Sequence, residues 1–132
     1  MKSVPILGVV LVALAIPVAA QDPVKTVPVQ FAKGMTAKAF KGTIRGYATV
    51  NYTVSARAGQ TMTVALTTSN ASRYFNVTAP GADAALFIGS TAGNRFSAKI
   101  PSTGVYTVQV YMMRNAARRA ETANYTVNIA VR

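Results

Sequence analysis

The sequence predicts an all-β protein, a single antiparallel β-sandwich or jelly roll of eight to nine strands. Three observations carry this. Several runs alternate strictly between apolar and polar residues, the period-two mark of strands with one buried face. Turn signals containing Gly or Pro separate these runs, at roughly the 8–12-residue spacing of a sandwich. No long stretch shows convincing helical periodicity.

The elements follow in chain order. Residues 1–20 read as a secretory signal peptide. Lys2 supplies a basic start, Ile6 to Ala20 is apolar, and Val18-Ala19-Ala20 offers the small residues of a cleavage site. The apolar run is short for a membrane span, and Pro17 breaks it. A mature periplasmic chain starting at Gln21, without a membrane anchor, is therefore expected. Residues 21–28 read as an N-terminal leader and residues 29–132 as one domain.

Strands are expected at about 26–32, 36–44, 47–56, 60–68, 73–78, 84–89, 95–100, 105–113 and 122–131. The clearest inward sets are Val50, Tyr52 and Val54; Met62, Val64 and Leu66; Tyr106, Val108 and Val110; and Tyr125, Val127, Ile129 and Val131. Thr, Asn, Ser and Gln fill most alternate positions. Lys33-Gly34, Arg45-Gly46, Ala58-Gly59, Pro80-Gly81 and Gly93-Asn94 mark turns.

The charge is strongly basic, with 14 Lys and Arg against 3 acids. Without Lys2 the net charge is +10. Such a field steers anionic partners: nucleic acid, anionic envelope polymers or acidic proteins. Secretion disfavours nucleic acid, and the interleaved aromatics of a single-strand binder are missing. A chain without Cys is ordinary in the bacterial periplasm.

Catalysis is not expected. The absence of His and Cys removes the commonest general base, the thiol nucleophile and the usual zinc ligands. Asp83 follows a turn composition, and Glu121 is close enough in sequence to pair with Arg118 or Arg119, which keeps it ionised. Gly-x-Ser-x-Gly and Ser-x-x-Lys are absent. Neither a cofactor nor a metal is expected.

The most distinctive segment is Tyr111-Met-Met-Arg-Asn-Ala-Ala-Arg-Arg-Ala-Glu121. It places Arg114, Arg118 and Arg119 on a short connection between two strands. Asn115 to Ala120 reads as one helical turn, with Asn115 as its N-cap. Arg114 and Arg118, four apart, project to one side and present two guanidinium forks suited to carboxylates or phosphates. Arg119 turns away and serves Glu121 or the fold. Met112 shares the core face of Val108 and Val110. Tyr111 and Met113 lie on the other face, and Tyr47 follows Gly46 at a turn.

"Ile44-Arg-Gly-Tyr47", "Ala58-Gly-Gln-Thr-Met-Thr-Val64", "Thr103-Gly-Val-Tyr-Thr-Val108" and the arginine segment resemble the bacterial periplasmic inhibitors of g-type (goose-type) lysozyme. That family has the fold of the pre-peptidase C-terminal (PPC-like) domain. The resemblance implies that g-type lysozyme is the partner and that basic and aromatic loop residues enter its substrate cleft. The motif arginines correspond to Arg114 and Arg118, and the turn tyrosine to Tyr47. The expected contact surface is Tyr47, Tyr111, Arg114, Asn115, Arg118 and Arg119, with Glu121 as structural partner of the cluster. The alternative function is a PPC-like module that binds an anionic cell-envelope glycan.

Overall fold

In a computed structural model, residues 23–132 are described, with Ser3 and Gly8 as isolated positions. Apart from those two, the expected signal peptide and the Gln21 start lie outside the described residues. Two sheets pack face to face. The first contains β1 (Val24–Pro28), β3 (Thr49–Ala56), β8 (Gly104–Met112), β5 (Arg73–Thr78) and β6 (Phe87–Ile88), in that order. The second contains β2 (Ala37–Arg45), β9 (Thr122–Val131), β4 (Thr61–Thr68) and β7 (Arg95–Lys99).

The alternation in the sequence determines which side of each strand meets the other sheet. Tyr52, Val54, Val64, Val77, Val108, Val127 and Ile129 are all buried in one core. Burying an aliphatic or aromatic side chain contributes about 1.5–3 kcal/mol, so slipping any one of these strands by one residue costs several such contributions. The predicted β-sandwich is the fold observed, with three local differences.

First, the strand expected over about 26–32 lies earlier, as β1 (Val24–Pro28), largely inside the segment read as a leader, and residues 29–32 are not strand. Strand β1 pairs with β3 in parallel, Val27 opposite Tyr52, so the sheet is mixed and not wholly antiparallel. Second, the strand expected over 84–89 shrinks to Phe87–Ile88 and runs into a four-residue helix, α1 (Gly89–Ala92). Third, the helical turn between β8 and β9 is α2 (Arg114–Arg118), which begins one residue earlier than expected.

The two long sides of the sandwich close differently. On one, Phe87 stacks on Phe75 at 4.9 Å and meets Phe96 edge-on at 5.4 Å, bridging the sheets. On the other, Tyr52 and Tyr125 bring their hydroxyls within 2.8 Å. Gly42, directly opposite Tyr125 on β2, makes this possible. A Cβ there would lie 2.5 Å from the Tyr125 hydroxyl.

Candidate functional site: the helical hinge and its rim

Helix α2 is too short to hold itself together, so packing fixes it. Ala116 and Ala117 are buried with Met112 and Ala123 in a small cluster at one end of the sandwich. The sequence therefore anchors the hinge through two alanines and turns its longer side chains outward. Arg114, Asn115, Arg118 and Arg119 are exposed.

The helix ends in a Schellman turn. The amide of Ala120 donates to Ala117 O at 2.9 Å, and that of Glu121 donates to Ala116 O at 3.2 Å. Ala120 holds the left-handed conformation, φ 54°, where glycine is usual. That conformation costs a non-glycine residue about 1–2 kcal/mol, and the surrounding bonds maintain it.

Asn115 is not the N-cap. Met113 occupies that position, and the Asn115 Oδ1 accepts from the adjacent Ala116 amide at 2.8 Å. The helix starts earlier because the Met113 amide is already bound to Ser72 O at 2.9 Å, which ties the hinge entry to the start of β5.

Arg119 and Glu121 form an ion pair, Nε to Oε2 at 2.7 Å. Asn70 Nδ2 donates to Oε1 of the same carboxylate at 3.0 Å. The Asn70 bond first, and the Arg119 bond second, hold this carboxyl below the usual carboxylate range. The staple therefore contributes at neutral pH and is lost as pH falls below that range. Among the described residues this is the sole ion pair, which leaves Arg114 and Arg118 without an acidic partner.

The 45–48 turn brings Tyr47 to the hinge from the far side of the sequence. The Gly46 amide donates to Glu121 O at 3.0 Å, and Arg45 Nε donates to Ala120 O at 3.3 Å. Gly46 has φ 60°, the left-handed conformation that favours glycine, and a Cβ there would be in ordinary contact with the hinge at Ala117 O. Tyr47 then projects with 45% of its surface exposed.

A concavity of about 350 Å³ lies between that turn and the hinge. Tyr47, Gln109, Tyr111, Met113 and Arg114 line it. Tyr111 is half-buried, and its hydroxyl donates to Asn76 Oδ1 at 3.2 Å, which fixes the ring. Met113 is 40% exposed at the rim. Of the residues expected at the contact surface, the structure gathers Tyr47, Tyr111 and Arg114 around this hollow. Arg118 stands one helical turn further along, Asn115 points to solvent beside it, and Arg119 is committed to Glu121. Gln109 was not singled out from the sequence, because it reads there as one more polar position on a strand. Larger concavities lie elsewhere, and the hinge stands out by its free cations and exposed Tyr and Met, not by its volume.

Arg73 was also not foreseen. It occupies the inward parity of β5 with Phe75 and Val77 and is fully buried. Its guanidinium lies 5.3 Å from the centre of the Tyr125 ring, and none of its three nitrogens has a hydrogen-bond partner among the described residues. Burial pushes its pKa down to about 10. It opposes Met112 across the ladder, where the main core gives way to the cluster beneath α2.

No protein-family model matches the chain. It is 30% identical over 116 residues to the inhibitor of g-type lysozyme of Escherichia coli strain K12, covering 82% of each chain. The crystal structure of Aeromonas hydrophila PliG, a periplasmic inhibitor of g-type lysozyme, superposes with a TM-score of 0.78 at 39% identity, over 85% of this chain and 100% of that one. The Salmonella Typhimurium PliG structure matches at 28% identity and TM-score 0.65, over 82% and 98%. A pre-peptidase C-terminal domain of Bacillus anthracis collagenase shares the fold at 14% identity and TM-score 0.54. These lysozyme-inhibitor relatives are periplasmic and are not enzymes, in keeping with a secreted chain that lacks His and Cys. By sequence and by fold, this chain belongs to the family of periplasmic inhibitors of g-type lysozyme.

Proposed function

We propose that the protein inhibits g-type lysozyme by seating the α2 end of the sandwich in the enzyme's substrate cleft. The observation that carries this is the separation of the three hinge arginines. Glu121 neutralises Arg119, while Arg114 and Arg118 stay exposed and without an acidic partner among the described residues. Beside them stand an exposed Tyr and an exposed Met on a rigid frame.

The chemistry fits a lysozyme cleft. Cleavage of the glycan needs a protonated acid, usually with an ionised carboxylate nearby. A guanidinium placed there forms charge-assisted bonds once water is excluded. It also favours the ionised form of the general acid, against its catalytic role. The frame contributes by being stiff. The hinge is held by two buried alanines, and the Tyr47 turn by bonds to Ala120 and Glu121, so little conformational entropy is lost on docking. Where the enzyme is itself basic, recognition rests on local complementarity and not on the overall field.

A panel of goose-type, chicken-type and invertebrate-type lysozymes tests the reading. Stoichiometric inhibition of the goose-type enzyme is expected. Unchanged goose-type activity at micromolar excess of the purified protein would sink the proposal.

A further inference from the structure

The open side of the sandwich holds a second, separate feature. Edge strands β1 and β2 leave a slot of about 350 Å³ between the sheets, at the small end of ligand-site volumes. Val27, Phe40 and Val50 form its apolar walls. The buried Tyr52 and Tyr125 lie at its base, and the exposed Lys25 and Lys41 at its mouth.

The slot continues past the edge strand. Lys41, Gly42, Thr43 and Tyr125 also line a hollow of about 610 Å³ on the outer face of β2, β9 and β4, where Thr67, Ser69, Asn124 and Thr126 supply hydroxyl and amide groups. The two hollows share Lys41, Gly42, Thr43 and Tyr125, and so adjoin across the edge strand β2. No carboxylate lines either hollow. Lys38 adds a third cation, 5.2 Å from the centre of the half-buried Phe40 ring.

The tyrosine pair points to a ligand independently of the charge. The two hydroxyls share one hydrogen bond. Whichever donates, the other keeps an O–H with no acceptor among the described residues. That O–H faces the slot, flanked by ammonium groups, where it can donate to an acceptor that enters. Burial first, and the Tyr125 bond second, raise the pKa of the Tyr52 phenol and keep it protonated.

The geometry points to a binding site for an acidic oligosaccharide laid across β2 at Gly42. Its carboxylate sits between Lys25 and Lys41 and accepts the free phenolic O–H. One sugar face packs on Phe40, and the sugar hydroxyls meet the Thr, Ser and Asn groups of the outer hollow. A single nucleic-acid strand fits less well, because it stacks on several aromatics in succession and this trough offers Phe40 alone. None of these residues belongs to the hinge surface, so the site stands or falls apart from lysozyme inhibition.

Titration calorimetry on the whole mature chain, without lysozyme, tests this with trigalacturonate, neutral chitotriose and an oligothymidylate as probes. Saturable binding of trigalacturonate is expected, with chitotriose weaker. The Lys25→Gln/Lys41→Gln variant should lose about tenfold or more in affinity, and Tyr125→Phe should weaken binding. A control with the same charge removed at Lys33→Gln/Arg57→Gln should bind as the parent does, and so should Arg114→Ala/Arg118→Ala. Absence of saturable binding, an equal loss in the charge control, loss in the hinge variant, or tighter binding of the oligothymidylate would each overturn the assignment.

Discussion

Gly89→Ala is expected to lower stability by about 3 kcal/mol, at the upper end of the overpacking range. For a domain of this size that is roughly 15 °C in Tm. The reason is local and geometric. Gly89 opens α1 against β5, and an added Cβ would lie 2.4 Å from Phe75 O and 3.1 Å from Phe75 N. Both are backbone atoms of the strand β5, so no side chain can swing aside to make room. Phe75 also anchors the aromatic closure through Phe87, and a shift there would disturb the bridge between the sheets. Thermal unfolding followed by circular dichroism measures the effect. A Tm within about 3 °C of the parent would show that α1 moves off β5 at little cost.

Arg73→Met is expected to act in the opposite direction, stabilising the fold by about 1–3 kcal/mol. Desolvating a charge costs several kcal/mol, and the contact with Tyr125 returns about 2 kcal/mol when fully desolvated. No carboxylate or hydrogen bond among the described residues supplies the difference. Methionine keeps most of the volume and removes the charge. Arg73→Ala would instead leave a cavity beside Tyr125 and Met112 and is expected to destabilise.

The alkaline limb gives the same test a sign. The folded Arg73 pKa is near 10, below its ordinary value. Above pH 10 the unfolded chain therefore holds more protons at this site, and stability rises with pH. Tyr52 is shifted upward, so in the same window the folded state holds more protons and stability falls. The two trends oppose each other in the parent. In Arg73→Met only the tyrosine trend remains, so the variant should lose stability more steeply above pH 10. Denaturant unfolding at pH 7 and at pH 11 distinguishes the cases, and a variant less stable than the parent at pH 7 would contradict the account of Arg73.

Much of this fold was legible because alternation is a local signal. The strands Thr49–Ala56, Thr61–Thr68 and Thr122–Val131 follow directly from runs such as Tyr125, Val127, Ile129 and Val131. What was illegible depends on distant partners. The first strand, expected at about 26–32, sits at 24–28, where alternation is weak, because the edge of β3 offers unpaired backbone groups there. Helix α1 is four residues of Gly-Ser-Thr-Ala, too short to show a period. Asn115 has the chemistry of a cap, but the bond from Met113 to Ser72 accompanies a cap two residues earlier, at Met113.

The candidate site divides in the same way. The pairing of Arg119 with Glu121 could be read from two positions of separation and opposite charge. The meeting of Tyr47 with Arg114 could not be read from spacing, because it depends on the bond from Gly46 to Glu121 across the end of the sandwich. Arg73 was hidden because a charged residue at a strand start reads as solvated, whereas its parity with Phe75 places it inside.

The central claim is that Arg114 and Arg118, and not the basic charge at large, make the contact with lysozyme. The direct measurement is the inhibition constant against goose-type lysozyme for Arg114→Ala/Arg118→Ala, with Lys33→Gln/Arg57→Gln as a variant of equal charge. Loss of more than about 1 kcal/mol, roughly fivefold or greater, is expected for the hinge variant, with little change in the control. Parent-like inhibition by the hinge variant, or an equal loss in the control, would contradict the account.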